Sequence, residues 1–348
     1  MLYKSLNPHG GDVYSEKIEL DFSSNINPLG IPGSVVCAVM NSVSDMHHYP
    51  DPFCRELVKA ISKYEEVPEE YILCGNGAAE LIYSFCEAAA PDKALLPAPT
   101  FSEYSLGLSR TGCIKESYYL DPDSFFDLDT GIIDHILQKQ PDTVFVCNPN
   151  NPTGRLADEK VLNKLLEQCR KKGIRLFIDE TFLDLASGTS LKAYLSEYPG
   201  LFILKAFTKN FGIAGLRLGY ALSSDAELLK KMSQAVQPWN VSVPAQAAGC
   251  AAMNEKAFLD KAVSFIKRER PWLAEQLEIL GLTVCPSDAN YLLFYSEKEL
   301  AGALRKRGIA IRDCSNYEGL EKGWYRIAVR PHEENEVLIR NIKEVLNG

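Results

Sequence analysis

Residues 204–220 read Leu-Lys-Ala-Phe-Thr-Lys-Asn-Phe-Gly-Ile-Ala-Gly-Leu-Arg-Leu-Gly-Tyr. The stretch leaves an apolar run, passes Lys209 and reaches Arg217 eight positions later. A lysine at the end of a buried strand is poorly hydrated, so its free amine becomes accessible near neutral pH, as bond formation with an aldehyde requires. The planar fork of Arg217 suits a phosphate. Lys205, four residues before Lys209, takes the commoner reading of a solvated surface cation.

Outward from this stretch, between about residues 70 and 222, short apolar runs alternate with amphipathic ones, the pattern of an α/β fold. Strands are expected at 71–74, 94–96, 143–147, 175–178, 201–204 and 217–222. Between them, residues 158–170 set Val161, Leu162, Leu165, Leu166 and Cys169 at helical spacing, giving one face to pack on a sheet. Leu176-Phe177-Ile178 is apolar on both sides and suits a central strand covered on both faces. Residues 243–280 are helix-rich, with a break expected at Pro271. A strand at 291–295, a helix at 299–307, a strand pair at 309–311 and 325–329 and a terminal helix from His332 complete the reading. The expected organisation is an N-terminal arm (1–35) joining a small domain, a large α/β domain (36–242) and a small α+β domain (243–348).

A chain of 348 residues with 46% hydrophobic content is long enough for two cores. Its net charge of −9 argues against nucleic acid as a partner, so an anionic ligand must be met by a local basic pocket. The first residues lack the apolar core of a signal peptide, and no apolar run approaches the ~18–20 residues of a membrane span. A cytoplasmic protein without a membrane partner is expected. The ten cysteines form no Cys-x-x-Cys pair and read as reduced core thiols. Five histidines show no ligand spacing beyond the adjacent His47-His48, so no metal is expected.

Three further motifs carry chemistry. Gly75-Asn76-Gly77-Ala78-Ala79-Glu80 follows a strand and opens a helix through residue 89, where small residues let backbone N–H groups approach an anion. Asn148-Pro149-Asn150-Asn151-Pro152-Thr153-Gly154 is a rigid turn that holds Asn151, a neutral donor, at one point. Asp179 ends a strand 28 residues after Asn151 and 30 before Lys209, at the carboxyl edge where open α/β sheets bind ligands. A carboxylate there can pair with a protonated pyridine nitrogen. Together with Lys209 and Arg217 the set reads as a pyridoxal phosphate site.

On these motifs the chain resembles, nearly end to end, the fold-type I pyridoxal phosphate enzymes of the aminotransferase class I/II superfamily. Within them it is similar to the branch of threonine-phosphate decarboxylases and histidinol-phosphate aminotransferases. The resemblance implies a large α/β/α domain with a mostly parallel sheet and a smaller α+β domain. It implies that Lys209 carries the cofactor, Asp179 pairs with its ring nitrogen and Asn151 donates to its ring hydroxyl. Gly77, Ala78, Ala79, Thr208 and Arg217 would form the phosphate cup, with Phe101 stacking on the ring. Tyr49, in His48-Tyr49-Pro50-Asp51, would reach the cofactor phosphate of a neighbouring subunit, so a homodimer with a shared active site is implied.

Two positions depart from the aminotransferase pattern. Asp-Glu-x-Tyr reads Asp179-Glu180-Thr181-Phe182, which removes a hydroxyl donor, and a serine or threonine three before the lysine is replaced by Ala206. Pro8-His9-Gly10-Gly11, the segment Asp21 to Gly30, Arg312 to Tyr317 and Tyr325 to Arg330 resemble the decarboxylases more. Arg330 stands where the histidine-pathway enzymes usually have glycine. His9, Asn27, Arg312, Arg326 and Arg330 would hold a phosphorylated amino acid by its carboxylate and phosphate. The implied function is decarboxylation of L-threonine O-3-phosphate to (R)-1-amino-2-propanol O-2-phosphate in cobalamin biosynthesis, with transamination of the histidinol-phosphate type as the alternative.

Overall fold

The computed structural model describes residues 9–348; Pro8 of the first motif lies outside them. The N-terminal segment contributes a short strand, β1 (Leu20–Asp21). Seven strands follow: β2 (Ile72–Gly75), β3 (Lys93–Ala98), β4 (Ile114–Tyr119), β5 (Thr143–Cys147), β6 (Arg175–Asp179), β7 (Leu201–Ala206) and β8 (Gly219–Leu222). They form one sheet in the order β2-β8-β7-β6-β5-β3-β4. β8 pairs antiparallel with both β2 and β7 while the remaining pairs are parallel.

Side chains alternate strictly across this sheet, as a pleat requires. Val144, Val146, Leu176, Ile178 and Ile203 enter one core, with the helices at 33–42, 55–65, 159–172 and 243–252. Phe145, Phe177, Phe202 and Leu204 enter the other, beneath the helices at 77–89, 102–108 and 226–234. In this second core Phe85, Phe177 and Phe202 contact one another at centroid separations of 4.6–4.9 Å. The helix Glu159–Lys172 shows why local sequence suffices there: Asp158 caps it by accepting from the Lys160 amide, its five apolar residues are buried, and Gly173 ends it.

The remaining strands are β9 (Thr283–Val284), β10 (Tyr291–Tyr295), β11 (Ile309–Ala310), β12 (Arg312–Asp313) and β13 (Trp324–Ala328). Four form an antiparallel sheet, β12-β13-β10-β9, backed by the helices Lys256–Ile279 and His332–Asn347. The expected pairing of 309–311 with 325–329 does not form. β11 pairs parallel with β1, whereas β13 lies between β10 and β12. The chain turns between Ala310 and Arg312, and the N-terminal segment captures the first half.

The expected break at Pro271 is also overturned, because the helix runs through it from Lys256 to Ile279. Proline in a helix interior costs about 3 kcal/mol. Buried Leu259, Ala262 and Ile266 before it and Leu273 and Leu277 after it lie on one stripe, and their burial outweighs that cost. β4 was not foreseen; its residues Ile-Lys-Glu-Ser-Tyr-Tyr are partly or fully exposed, as befits an edge strand. All ten cysteines are free thiols, eight of them buried, while Cys37 is exposed and Cys250 is partly buried.

Lys205 contradicts its reading as a surface cation. It is 3% exposed, with Nζ 3.0 Å from Asp184, 3.5 Å from Glu180 and 3.7 Å from Glu65. Although burial opposes its charge, the three carboxylates outweigh it and push the lysine pKa upward. Lys192 makes a second contact with Glu65 at 2.9 Å. Three acidic residues spread over 120 positions assemble this cage, a pairing that local sequence does not display.

Candidate active site

The strand directions determine where the site forms. Parallel strands β2, β3, β5, β6 and β7 deliver the residues after their carboxyl ends to one edge: Gly77 to Ala79, Phe101, Asn151, Asp179 and the turn Phe207–Asn210. Because β8 is antiparallel, the residue entering it, Arg217, arrives at that same edge. A cavity of about 200 Å³ opens there. Its walls include Lys209, Asp179, Asn151, Thr208, Arg217, Ala78, Ala79 and Phe101.

Asp179 is almost fully buried, and burial raises its carboxyl pKa. Hydrogen bonds from the Tyr104 hydroxyl (2.5 Å) and the Thr181 amide (2.9 Å) act in the opposite direction. Lys209 is half-buried. Burial, then the neighbouring guanidinium groups of Arg326 and Arg217, lower its pKa to about 8. Arg217 takes a left-handed backbone conformation (φ +57°) and donates to the Ala214 carbonyl at 3.2 Å. Its fork lies against Gly77: a Cβ added there would come 2.5 Å from Arg217 Nη2, on a backbone already at φ +81°. Glycine thus lets the guanidinium reach the first turn of the helix Gly77–Ala89, where amide groups lack helical partners.

The small sheet supplies the opposite wall. Arg312 on β12 and Arg326 on β13 are direct cross-strand partners, both mostly buried, and both line the cavity. Arg326 donates to the Asn151 side-chain oxygen and, at 2.9 Å, to the Ser23 carbonyl. Its Nε is buried without a partner. Arg312 donates to Asn316 at 2.6 Å. His9, Gly10, Ser23, Ser24 and Asn25 close the cavity from the N-terminal segment.

Two expected substrate residues, Asn27 and Arg330, lie outside the lining, and Tyr49, expected at a neighbouring subunit's site, lies away from its own. Asn27 does not line the cavity: its amide donates to the Asn210 carbonyl at 2.7 Å and its main-chain N–H to the Lys209 carbonyl at 3.0 Å. Asn25, two residues earlier, faces the cavity instead, 2% exposed and with an unpartnered side-chain oxygen. Arg330 is also outside the lining, its guanidinium paired at 2.8 Å with Glu334 in the first turn of the helix that follows. Tyr49 is 77% exposed and stacks on Trp239 at 4.5 Å, away from its own chain's cavity.

Sequence reasoning passed over Tyr104, Asn25, Tyr317 and Glu103. Tyr104 and Glu103 follow Phe101 within one turn, and helical spacing was the available signal. Tyr317 lies in the quoted Arg312 to Tyr317 segment, and its hydroxyl reaches Asn151 at 3.4 Å.

The donor set fits pyridoxal phosphate. A cationic fork at a helix N-terminus can hold a phosphate, a buried carboxylate can face a ring nitrogen, and an amine of lowered pKa lines the same cavity. Among the described residues no group of three or more His, Cys, Asp or Glu is placed to hold a metal ion, and no helix is long and apolar enough to cross a membrane.

These features define an enzyme of the pyridoxal-phosphate-dependent class built on the fold-type I scaffold. A family model, aminotransferase class I and II, matches residues 17–342, and the chain belongs to that family. It is 35% identical to a threonine-phosphate decarboxylase of Salmonella typhimurium, over 98% of this chain and 97% of that one. It is 29% identical to a histidinol-phosphate aminotransferase of Methanococcus maripaludis, over 95% and 91% of the two chains. The solved histidinol-phosphate aminotransferase of Clostridium acetobutylicum superposes with a TM-score of 0.88 at 30% identity, covering 94% of this chain and 99% of that one.

Proposed function

We propose that the protein decarboxylates L-threonine O-3-phosphate to (R)-1-amino-2-propanol O-2-phosphate, a step of cobalamin biosynthesis. The observation that carries this reading is the registered pair Arg312 and Arg326. Like charges directly opposite on a sheet are destabilising, and both side chains are largely withdrawn from water. An anionic ligand relieves both costs, and a phosphorylated amino acid brings two anionic groups.

In this reading Lys209 carries pyridoxal phosphate, Asp179 pairs with its ring nitrogen, and Gly77, Ala78, Ala79, Thr208 and Arg217 hold its phosphate. Phe101 and Asn151 hold the ring and its hydroxyl. Bound there, the cofactor supplies an electron sink for the pair left at Cα when a bond breaks. Arg312 and Arg326 orient the substrate carboxylate so that the Cα–carboxylate bond is the one that breaks. His9, Gly10 and Asn25 face the phosphate. Carbon dioxide leaves, its bonding pair stays behind at Cα, and Lys209 in its ammonium form would deliver the proton that Cα takes up. Phe182, which offers no hydroxyl, agrees with a site that departs from transamination.

The protein is proposed to act as a homodimer. Val36, Met40, Val43, Met46, Tyr49 and Phe53 form an exposed apolar set on the segment that includes the helix Gly33–Ser42. Burial of such surface against a second copy brings Tyr49 to the neighbour's cofactor phosphate.

Transamination of histidinol phosphate is the alternative, favoured by the likeness to the aminotransferases above. One assay separates them: carbon dioxide release from O-phosphothreonine, run beside oxo-acid formation from histidinol phosphate and 2-oxoglutarate. Transamination without decarboxylation sinks the first reading.

A further inference from the structure

His9 meets Glu103 at the rim of the cavity: the imidazole Nε2 lies 2.7 Å from Glu103 Oε1. The other carboxylate oxygen accepts from the Tyr83 hydroxyl, also at 2.7 Å. The Arg110 guanidinium stacks 4.1 Å above the Tyr83 ring. Glu103 is 8% exposed and sits in the first turn of the helix Ser102–Leu108, two residues after cavity-lining Phe101, whose ring lies 5.8 Å from that of His9.

Both carboxylate oxygens are thereby engaged. The His9 contact first, and then the Tyr83 hydroxyl, overcome burial and hold the Glu103 carboxyl below the usual carboxylate range. An ionised carboxylate accepts only, so the proton between the two groups belongs to His9 Nε2 and the ring orientation is set. The arm carrying His9 is pinned beside it. The Gly11 amide donates to Ser23 Oγ at 2.8 Å, and a Cβ at Gly10 would come 2.5 Å from the Ser23 carbonyl oxygen. Histidine and carboxylate act as a unit, since a bare anion on this rim would repel a phosphate.

We propose that Glu103 is a positioning residue that favours phosphorylated substrates by holding the His9 ring at the cavity rim. It touches neither cofactor nor reacting atoms, and the inference rests on the proposed phosphate-facing role of His9. The geometry of the pair, not the charge of Glu103 alone, makes the rim receptive. Removing His9 alone exposes the carboxylate to the incoming phosphate, whereas replacing Glu103 with glutamine as well does not.

The test is a double-mutant cycle in the holoenzyme with His9→Ala, Glu103→Gln and the pair together. The KM for O-phosphothreonine is expected to rise roughly tenfold in Glu103→Gln, with the loss in KM rather than kcat. His9→Ala is expected to lose more, and adding Glu103→Gln to it to recover part of that loss, while binding of unphosphorylated L-threonine changes less than twofold throughout. Additive losses, or an unchanged KM in Glu103→Gln, overturn the proposal. Should Glu103→Gln fail to fold, Tyr83→Phe, which removes one support of the carboxylate, is expected to raise KM in the same direction.

Histidine nitrogen resonances of the substrate-free holoenzyme provide a readout independent of turnover. His9 is expected to carry its proton on Nε2 in the wild type and to lose that signature in Glu103→Gln; no change overturns the proposal. If the wild type releases no carbon dioxide from O-phosphothreonine, the substrate reading fails while this arm still decides the Glu103–His9 contact.

Discussion

The Tyr104 hydroxyl donates to Asp179 Oδ2 across 2.5 Å, inside the aromatic core beneath the cavity. Tyr104 is fully buried, its ring 5.5 Å from Phe145 and 5.7 Å from Phe177, so the donor has no freedom to turn away. The contact opposes the burial that raises the Asp179 pKa. The aromatic layer thus favours the charged form of a carboxylate as well as filling space.

Tyr104→Phe removes that donor and leaves the Thr181 amide. The Asp179 pKa then rises further, so the charged form is lost at a higher pH as acid is added. The acid limb of the kcat profile is expected to move upward in pH, and kcat at neutral pH to fall roughly tenfold. Asp179→Asn is expected to cost roughly 10²- to 10³-fold, with no acid limb from this group. Rate–pH profiles of the two variants, beside circular dichroism of the folded state, check both outcomes.

Lys209 must be unprotonated to take up the cofactor, and its pKa lies near 8, below the ordinary lysine value of 10.5. Recombination of the apoenzyme with pyridoxal phosphate is expected to speed up as pH rises toward about 8 and to level off above it. Burial is the first cause and persists in any variant that keeps the fold. Arg326→Gln removes the next largest cause, a repelling cation, so the midpoint is expected to move to higher pH. Stopped-flow absorbance over a pH series measures it; an unmoved midpoint contradicts the assigned cause. Lys209→Ala is expected to lose the absorption band of the lysine-linked cofactor altogether.

The cofactor end of the site was legible because it is built from strand ends. Gly77, Asn151, Asp179 and Lys209 each follow an apolar run, and one sheet edge gathers them. The substrate end was read less well. Asn25 and Asn27 differ by two positions, and which of them faces the cavity depends on the path of the segment between Lys209 and Asn290, not on local pattern: Asn290 donates to the Asn25 carbonyl at 3.1 Å. Arg312 and Arg326 were legible as residues, yet their registration across β12 and β13 was hidden by the expected pairing of 309–311 with 325–329. Lys205 was misread because its three carboxylates arrive from distant positions.

The Lys205 cage predicts a large stability loss. Lys205→Met leaves Glu65 and Glu180 buried with one cation fewer, and breaking a buried ion pair from one side costs about 3–5 kcal/mol. Glu180, whose pKa burial already raises, is the group expected to take up a proton in the variant. Denaturant unfolding is expected to show the loss, and adding Glu180→Gln to Lys205→Met to recover part of it. A wild-type midpoint in Lys205→Met excludes a structural role for the cage.

Asn25 and Asn27 are expected to fail in different ways. Asn25 lines the cavity and carries a buried, unpartnered side-chain oxygen, so Asn25→Ala is expected to raise substrate KM about tenfold while cofactor affinity stays within twofold. Asn27→Ala retains the main-chain bond to the Lys209 carbonyl but loses the side-chain bond to the Asn210 carbonyl and the acceptor for the Leu29 amide at 2.9 Å. The buried Asn210 carbonyl then loses this donor, at about 1–3 kcal/mol, while the Leu29 amide, on an exposed residue, can turn to water. Asn27→Ala is therefore expected to lower the unfolding midpoint and to loosen cofactor retention on dialysis, with KM changing less than in Asn25→Ala. Paired measurement of KM and cofactor dissociation in the two variants decides it: if Asn27→Ala raises KM as much as Asn25→Ala and keeps its cofactor, the division of labour within this segment is reversed.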